Sequence, residues 1–150
     1  MSIIEQLRDR VTRYNEGLTS GQYISEIIEE NEAYIVELNA DIQLYEEGIN
    51  SLGVSIADYM PYTPLTIRIK EAKGQPTDRV TLRDEGNFEK SFYLVVGSEQ
   101  FEIMAEDWKT EQLIQKYGRS ILGLTDENIA KIVNNIIYPQ LLRKAKDIIL

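Results

Sequence analysis

The side chains able to do chemistry in this 150-residue chain are almost all carboxylates: 25 Asp and Glu stand against 16 Lys and Arg, with no cysteine and no histidine. The missing cysteine removes disulfides, thiolate nucleophiles and cysteine-based metal sites, and the missing histidine removes the usual general base and the commonest transition-metal ligand. Acid–base chemistry would therefore fall to carboxylates. One group, Glu26, Glu29, Glu30, Glu32 and Glu37, could offer oxygen ligands to a hard cation. Its spacing is that of a helix face, and no EF-hand loop is present, so it reads as a solvated acidic face able to steer a basic partner. Asp84 and Glu85, beside Gly86 and with Lys90 close by, form a second candidate pair, but without a second polar constellation a turn explains these residue types better. Gly74-Gln-Pro lacks the spacing of a phosphate-binding loop. No catalytic residue, cofactor or metal is expected.

Tyrosine is the remaining functional residue type. Four of the nine tyrosines, Tyr14, Tyr23, Tyr34 and Tyr45, fall on the N-terminal segment, and Tyr59 and Tyr62 flank a proline loop. Tyrosine is enriched where protein surfaces meet. Together with the acidic face this nominates Tyr23, Glu30, Tyr34, Glu37, Tyr59 and Tyr62 as partner-binding residues.

The elements that must position these groups can be read from periodicity. Ser2 is a suitable N-cap for a helix to about Leu18, with Ile4, Leu7, Val11, Tyr14 and Leu18 on one face. After a break at Thr19 to Gly21, a second helix begins near Tyr23 with a seven-residue pattern: Ile28, Ile35, Ile42 and Ile49 in one position, and Ile24, Leu38, Tyr45 and Leu52 in the other. Asn31 interrupts the second set, either to fix register or because it faces solvent. Residues 1–52 are thus expected to form a helical hairpin arm. Residues 59–105 read as a three- or four-stranded antiparallel meander, from the alternation of Leu65, Ile67 and Ile69, then Val80 and Leu82, then Phe92 to Val96 and Phe101 to Met104. Pro61 and Pro64 would extend the chain into the first strand, and Gly86 would permit a return turn. Residues 107–118 predict a short helix or an irregular loop closed by Gly118. A last helix over 125–148 would start at the N-cap Thr125 and break near Tyr138, ahead of Pro139. Gly123 would let Leu122 and Leu124 tuck under the sheet. The expected class is α+β, one domain over 1–150, with the C-terminal helix packed on the sheet.

Charge is unevenly placed. Residues 1–60 hold 12 acidic and 3 basic side chains, whereas residues 61–150 hold 13 of each, and the stretch 26–47 has eight carboxylates and no Lys or Arg. Such a surface does not neutralise phosphates, so sequence-specific nucleic-acid binding is not expected. No apolar run reaches the roughly 20 residues of a membrane span, so no membrane partner is expected either.

Two blocks carry a resemblance. PYTPLTIRIKEAKGQ (Pro61–Gln75) with VTLRDEGNFEKSF (Val80–Phe92) resembles the Pro-Leu-Ser/Thr-x-x-Thr, Lys, Leu-x-Asp-x-Gly-x-Leu/Phe-x-x-Ser pattern of phage virion-morphogenesis and tail-completion proteins. Ala105, Tyr117-Gly118 and RSILGLTDEN (Arg119–Asn128) are similar to the Arg-x-Phe-Leu-Gly-Leu-Ser/Thr-x-Glu-Asp pattern that ends the same proteins. The likeness spans residues 48 to 145, departing at Ala105-Glu106-Asp107 and in the longer, more polar Asp107–Tyr117. It implies a non-catalytic structural protein of the head-to-tail junction, a homo-oligomer set in a ring among other neck or tail proteins. Its location would be the virion, and the host cytoplasm during assembly. The alternative is a cytoplasmic phage-encoded regulator that uses its acidic helices against a basic partner.

Overall fold

The structure, a computed structural model, describes residues 1–150. The first helix, α1 (Ile3–Thr19), starts from a reciprocal cap: the Glu5 amide donates to Ser2 Oγ (3.2 Å) and the Ser2 amide to Glu5 Oε2 (2.7 Å). The Ser2 hydrogen bonds to the carboxylate hold Glu5 below the usual range. A Ser20–Gly21 break leads into α2 (Gln22–Glu30), where Gly21 has φ +78° and lies so close to Ser98 that a Cβ would overlap the Ser98 carbonyl oxygen. Next to it the Ser25 hydroxyl donates to the Gly97 carbonyl at 2.9 Å. Replacement Gly21→Ala combines a left-handed backbone with a backbone clash; a loss of about 2–3 kcal/mol in urea unfolding is expected.

Asn31 separates α2 from α3 (Glu32–Glu37), its side chain donating to the Ile27 carbonyl at 2.7 Å. From Leu38 to Glu47 the chain continues as a π-helix. The wider turn explains why the seven-residue pattern fails there: Ile28, Ile35 and Leu38 are buried, but beyond them Asn39, Ala40, Gln43 and Leu44 face inward, and Leu52 lies exposed outside the helix. This half of the expected arm is therefore the centre of the body. Helix α1 lies at the edge of the body, packed on α2 and the C-terminal helix, with Gly17 its sole buried residue.

The meander over 59–105 reduces to one hairpin. β1 (Phe92–Val96) pairs antiparallel with β2 (Phe101–Ala105), Phe92 opposite Ala105 and Val96 opposite Phe101. The segment predicted as the first strand is instead α4 (Pro64–Ala72). Thr63 caps it by accepting from the Thr66 amide, and Pro64 occupies the first turn, where its missing N–H costs nothing. The alternation of Leu65, Ile67 and Ile69 was not a burial pattern, since Leu65 is 66% and Ile69 48% exposed. Val80 to Arg83 is irregular and joins no sheet; the Thr81 amide donates to the Tyr62 hydroxyl at 3.1 Å, and Leu82 adopts φ +58°. Gly86, at φ +87°, opens the short helix α5 (Asn87–Lys90).

After the hairpin come α6 (Thr110–Tyr117), ended by Gly118, and then α7 (Asp126–Ile132), capped by the Thr125 hydroxyl. A π-helical turn, Val133–Ile137, absorbs the amide that Pro139 lacks and passes directly into α8 (Tyr138–Ile149). The fold is α+β, as expected, with two strands in place of three or four. Helices α2 and α3 pack on β1, whereas the C-terminal helix packs chiefly on α1 and α2.

The core runs through Ile35, Leu44, Ile56, Val80, Ile121 and Ile132, with Phe88 and Phe92 in an edge-to-face pair 4.9 Å apart. Across it, side-chain amides of the π-helix grip the RSILGLTDEN segment. Asn39 donates to the Ile121 carbonyl (3.0 Å) and accepts from the Gly123 amide (2.9 Å). Gln43 donates to the Gly123 carbonyl (2.9 Å) and accepts from the Thr125 amide (2.9 Å) and the Asn128 side chain (2.8 Å). Gly123, at φ +132°, presents both of its backbone groups to this clamp.

Candidate functional site

The nominated contact residues divide by environment. Glu30 and Glu37 are exposed and Tyr34 is at the surface, all on the outer side of α2 and α3. Tyr23 is committed within the chain: its ring lies against Gly17, 5.7 Å from the Tyr14 ring and beneath the Lys144 ammonium, which also meets Glu26 at 3.5 Å. Tyr62 is half-buried, its hydroxyl accepting from Thr81 and its ring facing Lys70. Tyr59 is exposed and accepts a 3.3 Å hydrogen bond from Asn50. Pro61 remains in an exposed irregular loop.

Three surfaces stand out. The first is the stripe of α1, where Ile3, Ile4, Leu7 and Val11 are 82, 71, 46 and 37% exposed. Farther along, the same helix is tied to α8 by Tyr14 donating to the Leu141 carbonyl (3.0 Å) and Arg10 to the Ile149 carbonyl (3.5 Å). The second is an open apolar groove of 590 Å³ where β2 and the C-terminal helix diverge, walled by Ile24, Phe101, Leu122, Ile129, Val133 and Ile137.

The third is a 560 Å³ cleft between α3, the start of the π-helix and α5. It joins the two carboxylate groups that the sequence kept separate: Glu37 from the acidic face, and Glu85 with Lys90 from the turn. It adds Asp41, Arg83 and Glu89, which nothing in the sequence singled out. Arg83 directly follows the left-handed Leu82, stacks on Tyr45 at 4.3 Å, and donates to Asp41 (2.6 Å) and the Ala40 carbonyl (3.2 Å). Its Nε lies 3.9 Å from Glu89 Oε2, beyond hydrogen-bond range, and that Nε and both Glu89 carboxylate oxygens are buried without a partner. Glu89 is 6% exposed. Burial raises its carboxyl above the ordinary value of 4.5, the attraction of Arg83 being the smaller effect. Asp84 shifts the other way, held low by hydrogen bonds from Lys73 (2.8 Å) and Gln75 (3.0 Å). Asp84 and Glu85 thus have different partners and do not act as a matched pair.

Replacement Glu89→Gln removes the buried charge at nearly constant volume. Because the native carboxyl holds its proton more tightly than the unfolded one, its cost to stability is absent below about pH 4.5 and grows as pH rises through the raised native value. The groups facing it are Arg83, Asp41 and Asp107, with Glu37, Glu85 and Lys90 around the cleft. The variant is expected to be more stable than the native chain by about 1–2 kcal/mol at pH 7.5 and to converge with it at pH 4, in urea unfolding at both values.

No helix is long and apolar enough to cross a membrane, and no group of three or more carboxylates is arranged to hold a metal ion. No protein-family model, curated protein or solved structure matches the chain.

Proposed function

We propose that this protein is a structural assembly component, built into the head-to-tail junction of a tailed phage or prophage as a neck or tail-completion subunit. The observation that carries the assembly reading is the exposed stripe of α1. Apolar side chains at helical spacing, two of them largely and two of them partly uncovered by their own chain, mark a contact surface. The total surface points the same way: the chain exposes 9433 Å², about a fifth more than the roughly 7,800 Å² of a compact monomer of its mass.

A ring requires two different complementary faces on each subunit. The α1 stripe and the apolar groove beside β2 supply two, at separate places on the fold. The virion assignment rests on the two sequence blocks. The second of them, Arg119–Asn128, is held by Asn39 and Gln43, which gives it a scaffold role consistent with a structural protein.

The exposed Glu29, Glu30, Glu32 and Glu37 favour a basic neighbour, and this also suits a regulator acting on a host protein. Mass spectrometry of purified particles separates the readings. Stoichiometric presence with other neck or tail proteins is expected; absence from particles, with one dominant host protein co-purifying from lysate, would replace the virion reading with the regulator.

A further inference from the structure

The Glu89 cleft contains an imbalance that the chain does not resolve internally. Arg83 is one guanidinium facing two carboxylates. Asp41 holds the close contact at 2.6 Å, and Glu89, at 3.9 Å, has no hydrogen-bond donor for either oxygen. Glu89 therefore keeps the charge attraction of Arg83 but lacks the hydrogen bonds that a buried carboxylate almost always has. Lys90 lines the same cleft but is exposed and forms no ion pair, so four carboxylates, Glu37, Asp41, Glu85 and Glu89, stand against two cations. The opposite wall is aliphatic, formed by Ala33, Val36 and Ala40.

We propose that this cleft is a binding site for the side chain of a lysine presented by a partner protein, its methylene stem along Ala33, Val36 and Ala40 and its ammonium donating to Glu89. The chemistry selects this ligand on two grounds. The Glu89 oxygens are closed to solvent at rest, so the carboxylate must rotate into the cleft; a compact ammonium with three donors can then serve it together with Glu37 or Glu85, and the stem matches an apolar wall on one side only. Glu89, nine-tenths buried in the cleft wall and without a hydrogen bond to either oxygen, separates this site from the rest of the acidic face, whose carboxylates are solvated. The proposal stands independently of the virion reading.

The test is a heteronuclear NMR titration of the full chain with Nα-acetyl-lysine methylamide, its norleucine counterpart and putrescine. The lysine compound is expected to shift the amides of residues 33–41 and 83–90, and the norleucine compound to leave them in place. Glu89→Gln, expected to keep the fold and checked by its unchanged amide spectrum away from the cleft, should weaken binding at least about tenfold, whereas Glu111→Gln on α6 should not. Asp41→Asn should also weaken it, because Arg83 is then free to neutralise Glu89. Equal shifts with the norleucine compound, or unchanged affinity in the Glu89 variant, would overturn the proposal. Tighter binding of putrescine than of the lysine compound would overturn the protein source of the ammonium.

Discussion

Replacement of Gln43 by leucine is expected to cost about 3–5 kcal/mol. Gln43 is fully buried, and its amide serves three partners: the Gly123 carbonyl, the Thr125 amide and the Asn128 side chain. Leucine keeps most of the volume but leaves those three groups, the Asn128 amide buried and the other two partly buried, without their partner, at roughly 1–3 kcal/mol for each. The Thr125 amide belongs to the N-cap of α7, so the start of the C-terminal helix loosens with the clamp. Urea unfolding followed by circular dichroism measures the effect. Loss should appear as a shifted midpoint, and hydrogen exchange should quicken first at Gly123 and Thr125. A change below 1 kcal/mol would show that the clamp does not hold the segment.

The second large effect concerns assembly. Leu7→Glu with Val11→Glu alters two exposed positions of α1, so the folded monomer should change by no more than about 0.5 kcal/mol per site. If the stripe is a subunit contact, two carboxylates in its centre weaken association at least about 100-fold, because buried apolar anchors dominate such interfaces. Sedimentation of the double variant should give a monomer with unchanged unfolding behaviour. The pairing of an intact fold with lost association distinguishes a contact surface from a core defect.

How far the fold was readable from sequence depended on the range of the interactions involved. Ser2, Thr125 and Gly118 were legible because a cap satisfies backbone groups within three or four residues of itself. Thr63-Pro64 carried the same kind of local signal, an N-cap followed by proline at the first helical position, yet the two-residue alternation of Leu65, Ile67 and Ile69 pointed to a strand. The alternation misled because two of the three residues face solvent. The π-helix hid its own consequence: with 3.6-residue geometry Asn39 and Gln43 belong to no apolar position, and their partners lie 80 or more residues away.

The cleft was half legible. Glu37 and the Asp84–Glu85 turn were noted for their charge, but the residue that matters most there, Glu89, sits in a four-residue helix between the buried aromatics Phe88 and Phe92. That flanking pattern was the available signal. The pairing of Arg83 with Asp41, across 42 positions, has no local trace. Among the nominated tyrosines, Tyr59 and Tyr34 remain at the surface, whereas Tyr23 and Tyr62 are bound up in internal contacts, because tyrosine serves core edges as readily as interfaces.

The assembly reading stands or falls on the oligomeric state of the intact chain. Native mass spectrometry at 1–20 µM, a range chosen because standard interfaces of about 800 Å² per partner support association there, should show a closed oligomer of defined subunit number that the Leu7→Glu, Val11→Glu variant lacks. A strict monomer across that range, both alone and mixed with neck and tail proteins from the same particle, would overturn it.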